Sequence, residues 1–216
     1  MSGIRQLAPR VRAFELRQYN GGELPAVESG SHLRVPVCLP SGEVVDRHYS
    51  IASNPARRDI YEIAVLREEH GSGGSAALHD SYRIGSRLRV DLPGNHFGFH
   101  EGGDPPLLIA GGIGITPIKS MAQTLTARGV EFQLHYAGRT LVDMPFRDHL
   151  ERELGERLFV HSSADGARMD VAAILAAAPN DRVIYVCGPP RLISAVKATA
   201  KKLGIARERV RLELFA

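Results

Sequence analysis

The sequence predicts an antiparallel β-barrel followed by an α/β domain built on a parallel sheet. Three observations lead there. Residues 1–102 fall into short strand-like runs parted by Gly, Pro, Asn or Ser. Beyond them, apolar runs of strand length alternate with amphipathic stretches of helical period. Between the two lies Gly102-Gly103-Asp104-Pro105-Pro106, too rich in Gly and Pro for either element and so the expected linker. The expected division is therefore 1–102 for the barrel and 103–216 for the α/β domain.

In the first part, strands are expected at 11–17, 32–39, 44–51, 61–67 and 87–91, a spacing that suits a small antiparallel barrel. One helix is expected at 75–82, opened by the loop Gly71-Ser72-Gly73-Gly74. In the second part, strands are expected at 107–110, 132–136, 158–160, 183–186 and 210–214. Helices are expected at 118–127, 145–154, 171–177 and 192–203. Repeated β-α units of this length argue for a parallel sheet covered on both faces.

Composition narrows the function classes. The 216 residues are 44% apolar and 24% charged, ordinary for a soluble protein. No apolar run approaches the roughly 20 residues that span a bilayer, and the opening MSGIRQLAPRVRAF has no apolar signal core. Cys38 and Cys187 are too few for a disulfide framework, so a cytoplasmic protein without membrane attachment is expected. The net charge is +3, but Lys and Arg are scattered rather than gathered into a nucleic-acid patch. What remains is a solvated surface, or a shallow positive face that steers an acidic protein partner.

Two glycine-rich helix entries carry chemistry. Gly111-Gly112-Ile113-Gly114-Ile115-Thr116-Pro117 follows the first apolar strand of the second part. There backbone N–H groups and a helix N-terminus suit a pyrophosphate, and Pro117 suits a first helical turn. The alternative is a tight turn without a ligand. Gly73-Gly74-Ser75 is a second such entry, fit for a phosphate or simply a surface loop.

Arg47-His48-Tyr49-Ser50 ends a strand whose alternation puts Arg47 and Tyr49 on one face, His48 and Ser50 on the other. The Arg fork suits a phosphate, the ring a flat partner and the hydroxyl a ring nitrogen. Alone the tetrapeptide is commonplace. Cys187-Gly188-Pro189 closes the fourth strand of the second part, at an end where such sheets bind ligands. Cys187 borders a reacting carbon there or is a small buried hydrophobe. Phe215 is a core plug or a lid on a flat cofactor. His96 and His100 stand four apart in a Gly-rich stretch, and no Cys/His cluster has zinc or iron–sulfur spacing. A serine-hydrolase elbow is absent.

Together these motifs, in this order and over essentially the whole chain, resemble the ferredoxin–NADP⁺ reductase superfamily. The Gly73–Ser75 loop, Gly94-Asn95-His96-Phe97 and Leu134-His135-Tyr136 are most similar to its phthalate dioxygenase reductase and vanillate O-demethylase reductase branch. The resemblance implies FMN and NADH, with NADPH as the alternative. It implies that Arg47, Ser75 and the backbone at Gly73 and Gly74 hold the FMN phosphate, with Arg67 beside them. Tyr49 would flank the flavin ring, Ser50 would approach its N5, and Ala64 and Val65 would offer backbone contacts. His48 belongs to the same wall. Gly112, Gly114 and Thr116 would line the dinucleotide site, with Cys187 and Gly188 near the nicotinamide and Phe215 over the flavin. Ser50, Thr116, Cys187 and Phe215 are thus the expected catalytic set. Arg139 would meet a 2′-phosphate in an NADPH site or is a surface residue.

That branch usually continues into a [2Fe–2S] domain with four cysteines, which this sequence lacks. The expectation is a reductase serving a separate ferredoxin or a piece of a longer protein, the latter favoured. The implied reaction is hydride transfer from nicotinamide to flavin, then single electrons to a [2Fe–2S] partner and through it to a terminal oxygenase. An FAD-containing reductase and a non-catalytic flavin-binding module are the alternatives.

Overall fold

A computed structural model describes residues 1–99, 105–179 and 181–215. The expected boundary at 102/103 and His100 lie outside them. The first part holds two three-stranded antiparallel sheets. One has the order β1 (Gly3–Ala8), β2 (Val11–Leu16), β5 (Tyr61–Leu66), and the other β4 (Val44–Ser50), β3 (Ser31–Cys38), β6 (Gly94–Asn95). An antiparallel bridge between Ile51 and Ile63 joins them into a split barrel.

Alternation explains the closure. On β3, Leu33, Val35 and Val37 point inward and are fully buried, facing Phe14, Ile63 and Val65 of the other sheet. The helix α1 (Gly74–Ser81) inserts Ala77 and Leu78 into the same core. The strand expected at 87–91 is not one: Leu88 and Val90 pack on the core from an extended segment that joins no ladder. Alternation here reports burial of one face and not strand pairing. Conversely β1 was not anticipated, because its polar Arg5 and Gln6 belong to a sheet edge.

In the second part β7 (Leu107–Gly111), β8 (Gln133–Gly138), β9 (Leu158–Ser162), β10 (Ile184–Cys187) and β11 (Val210–Glu213) form one parallel sheet, ordered β11-β10-β7-β8-β9. Its alternating side chains feed two cores. Leu108, Ala110, Leu134 and Tyr136 pack with α2 (Ile115–Ala127) and α3 (Arg147–Leu154). Leu107, Ile109, Ile184 and Val186 pack with α4 (Val171–Ala177) and α5 (Pro190–Lys202). The first of these cores runs on into Ala52 and Ala64 of the barrel, so the two halves share apolar packing along their seam. Strand order reverses between β7 and β10, and such a switch point opens a crevice at the strands' carboxyl ends.

Candidate active site

Two loops leave that switch point and pack backbone to backbone. A Cβ on Gly114 would lie 2.4 Å from the Cys187 carbonyl oxygen, and one on Gly111 would lie 2.8 Å from Pro189. Gly188 is equally tight, 3.0 Å from the Gly111 nitrogen. Gly112 adopts φ +54° as the chain enters a short 3₁₀ turn ahead of α2. Close packing therefore demands Gly111 and Gly114 even before a ligand is considered. Thr116, buried in the first turn of α2, donates its hydroxyl to the Ile113 carbonyl at 3.0 Å.

The barrel supplies the facing wall. Arg47 reaches along the start of α1, donating to Ser72 Oγ at 2.6 Å and to the Asp46 carbonyl at 2.8 Å. Its guanidinium lies where a Cβ on Gly74 would sit, 2.7 Å from Nε. Gly73, at φ +83°, turns the chain into α1, and Ser75 Oγ accepts the Glu68 N–H at 3.1 Å. Burial pushes the Tyr49 phenol up to about 12, so it stays neutral. His48 stacks on His32 at 5.1 Å, and His96 lies 5.4 Å from His32 on its other flank. Burial lowers the pKa of His32.

Arg47, His48, Tyr49, Ser50, Ala64, Gly74, Ser75, Thr116 and Phe215 all line one cavity of about 700 Å³ between the two halves. The two faces of the β4 tetrapeptide both contribute, because the cavity wraps the end of the strand. Gly73, Gly112, Gly114, Cys187 and Gly188 shape its surroundings without lining it. Val65 is a core residue whose carbonyl meets His79 Nε2 at 2.9 Å. Arg67 is held by Asp80 at 2.6 Å and Glu69 at 2.8 Å. Arg139 is exposed past β8, its carbonyl oxygen 3.2 Å from the Ser162 hydroxyl.

Sequence reasoning missed Glu213. It pairs in register with Cys187 on β10, whose Sγ lies 3.8 Å from its carboxyl. Burial raises its pKa to about 7, against the opposing pull of the Cys187 thiol and the Ser50 hydroxyl. Cys187 is fully buried, and burial with the adjacent carboxyl raises its pKa well above that of a free thiol. Ser50 Oγ is buried yet makes no hydrogen bond of good geometry within the protein. Its one weak tie is to the Glu213 carboxyl, which leaves hydrogen-bonding capacity for a ligand at the cavity wall.

The lining of this cavity is compatible with a flavin on three counts. Arg47 stands beside the glycine-rich start of α1, where a phosphate could lie, Tyr49 and Phe215 both line the cavity with aromatic rings, and the buried Ser50 hydroxyl reaches its wall. Among the described residues no group of three His, Cys, Asp or Glu is arranged for a metal ion. Nor is any helix among them long and apolar enough to cross a membrane.

Residues 108–198 match the model of the oxidoreductase NAD-binding domain family. The chain is 38% identical to a vanillate O-demethylase oxidoreductase of Pseudomonas sp. strain HR199, a match covering all of this chain and 68% of that protein. The chain belongs to the ferredoxin reductase-like superfamily, in the vanillate O-demethylase reductase branch. Within that superfamily it is also 36% identical to the carnitine monooxygenase reductase subunit of Escherichia coli K12, over all of this chain and 67% of that one. The solved structure of phthalate dioxygenase reductase, described as carrying electrons from pyridine nucleotides to [2Fe–2S], superposes with a TM-score of 0.90 at 31% identity. That match covers 99% of this chain and 66% of the other. The chain thus spans about two thirds of the length of these superfamily members and, like them, is an NAD-binding oxidoreductase.

Proposed function

We propose that this chain is the flavin- and nicotinamide-binding part of an oxygenase reductase, with FMN in the 700 Å³ cavity and NADH at the switch point. The observation that carries the reading is the meeting, in one cavity, of Arg47, Ser50, the start of α1, Thr116 and Phe215. Bound there, FMN would supply the chemistry of taking a hydride from nicotinamide and releasing the electrons one at a time.

The chain's own residues bind and orient. Arg47 supplies the charge for the phosphate, because Arg67 is already engaged by two carboxylates. The N–H groups at Gly74 and Ser75 add the partial positive charge of a helix start. Tyr49 stays neutral and would flank the ring, and Phe215, which lines the same cavity, would cover it as a removable lid. The Ser50 hydroxyl has a carboxyl behind it, Glu213, whose pKa burial raises to about 7. Serine and glutamate together form a short path by which a proton reaches or leaves the bound ring. Thr116, Cys187 and the glycines around them set the approach of the nicotinamide.

NADH is favoured over NADPH. Asp165 follows β9 and accepts the Ser162 hydroxyl, whose oxygen lies 3.2 Å from the Arg139 carbonyl oxygen, so an acidic group is fixed beside the ends of β8 and β9. Carboxylates in such positions accept a ribose hydroxyl and repel a 2′-phosphate. The acceptor of the single electrons is a [2Fe–2S] domain or protein serving a terminal oxygenase, in keeping with the phthalate dioxygenase reductase likeness. Free thiols at Cys38 and Cys187 agree with a reducing cytoplasm.

The decisive experiment is anaerobic mixing of flavin-loaded protein with NADH. Loss of the flavin absorbance near ~450 nm, with FMN recovered from the heated protein by chromatography, supports the reading. An unreduced flavin sinks it.

A further inference from the structure

Lys119 lies one turn beyond Thr116 on α2, and its side chain is only 6% exposed. It crosses the seam between the two halves. Its ammonium donates to the Ala52 carbonyl at 2.7 Å and stands 3.8 Å from a Glu62 carboxyl oxygen. Ala52 is two residues past Ser50, and Glu62 two residues before Ala64. The partners are themselves fixed: Ala52 N–H donates to the Glu62 carbonyl at 2.7 Å, and Arg5 also binds the Glu62 carboxylate. The Phe146 ring, on a left-handed residue at φ +63°, covers the ammonium at 4.9 Å.

Further along the same helix a second attachment forms. Ser29, buried in the barrel, shares a 2.6 Å hydrogen bond with Thr124 Oγ1 and donates to the Ser120 carbonyl at 3.2 Å. Asn95 Nδ2 in turn donates to the Ser29 carbonyl at 3.1 Å.

A buried ammonium is costly, and an apolar side chain of similar length would fill the same space without desolvation. Its value lies in direction: a hydrogen bond fixes an angle that apolar packing leaves loose. One contact point permits rotation of α2 against the barrel, and two do not. We propose that Lys119 and the Ser29–Thr124 pair form a two-point clamp on α2, in which Lys119 is the positioning residue that holds Thr116 in register with Ser50 and Ala64 for hydride transfer. The clamp's link to catalysis rests on the function proposed above; its geometry does not.

The test uses Lys119→Met, which keeps the stem, leaves Arg5 to pair with Glu62, and should fold. Spin labels on Val44→Cys and Lys197→Cys, in a Cys38→Ser background, report the distance between the halves in the flavin-loaded protein. The expected result is one narrow distance distribution with Lys119, a broad one with Met, and recovery of a narrow one in Lys119→Arg. In parallel, the limiting rate of flavin reduction should fall ~10- to 100-fold, with half-saturation by NADH changed less than about threefold. Should Lys119→Met fail to fold, Lys119→Met combined with Glu62→Gln removes the half-compensated buried carboxylate and gives the same readings. A distribution as narrow in Met as in Lys overturns the clamp. A broad distribution with an undiminished reduction rate overturns the positioning role. If NADH fails to reduce even the Lys119 protein, the proposed function falls while the distances still decide the clamp.

Discussion

Cys187 and Glu213 stand opposite each other on neighbouring parallel strands, with the thiol 3.8 Å from a carboxyl oxygen. Cys187 is fully buried and Glu213 half-buried, so each favours its protonated form, and desolvation raises the Glu213 pKa to about 7. This gives the site a measurable pH signature.

The carboxyl of Glu213 is raised to about 7, from 4.5 in the unfolded chain. Between those values the native state binds more protons than the unfolded one, so stability declines as pH rises through that window and levels off above it. Replacing Glu213 by Gln removes the dependence. Glu213→Gln should match the parent at pH 5 and exceed it at pH 8 by up to about 3 kcal/mol. Thermal unfolding at the two pH values reads this directly, and parallel curves for the two proteins would refute the buried carboxyl.

Arg47 donates to Ser72 and lies against Gly74 at the start of α1, which makes it the main positive charge available to a phosphate there. Arg47→Ala should weaken FMN binding by about 1.5–3 kcal/mol, or roughly 10- to 150-fold. Equilibrium dialysis or flavin fluorescence titration measures it. Arg67→Ala should weaken binding far less, and equal losses in the two variants would contradict the assignment.

Gly114 has no room for a Cβ, since the Cys187 carbonyl would be 2.4 Å away and belongs to backbone that cannot swing aside. Gly114→Ala should therefore push the two switch-point loops apart. The expected cost is about 1–3 kcal/mol of stability, a Tm drop of roughly 5 °C, together with weaker NADH binding and retained FMN. A variant with unaltered NADH affinity would show that the loops' closeness is structural only.

Asp165 predicts nucleotide choice. NADH should exceed NADPH in kcat/KM by at least ~10-fold, since a like charge beside the 2′-phosphate costs several kcal/mol. Asp165→Asn should narrow the gap mainly through KM for NADPH. Comparable use of both nucleotides by the unaltered protein would remove Asp165 from the site and return attention to Arg139.

Much of the fold was written in local patterns. The β-α rhythm after residue 106 yielded all five parallel strands, because the central β7 and β10 are buried on both faces as continuous apolar runs and set the period. The segment at 87–91 misled, since Leu88 and Val90 bury alternate side chains without any neighbour for their backbone. The glycine-led start of α1 was legible because a Gly-rich helix entry is a contiguous signal. Glu213 and Lys119 were not. A glutamate ending a strand and a lysine on a helix look like surface residues until burial removes their water. Glu213 gains its character from Ser50 and Cys187, and Lys119 from Ala52 and Glu62, all distant in sequence. His32 escaped notice for the same reason, acquiring neighbours only when β3, β4 and β6 meet.

The position of β11 at the sheet margin has a consequence for motion. Four residues, paired on one side only with β10, carry both the buried carboxyl of Glu213 and, just beyond, the ring of Phe215. Detaching them breaks one short ladder and withdraws only the partly buried Val210 and Leu212 from the margin of one core. Sub-global opening of that kind occurs at a fraction of the free energy of complete unfolding. Amide protection at Arg211 and Leu212 should accordingly fall below that of Ile109 and Val186 in the bare protein and climb toward it when flavin is bound. The ligand would then stitch the outermost strand to the molecule, and loss of cofactor would be felt first as fraying.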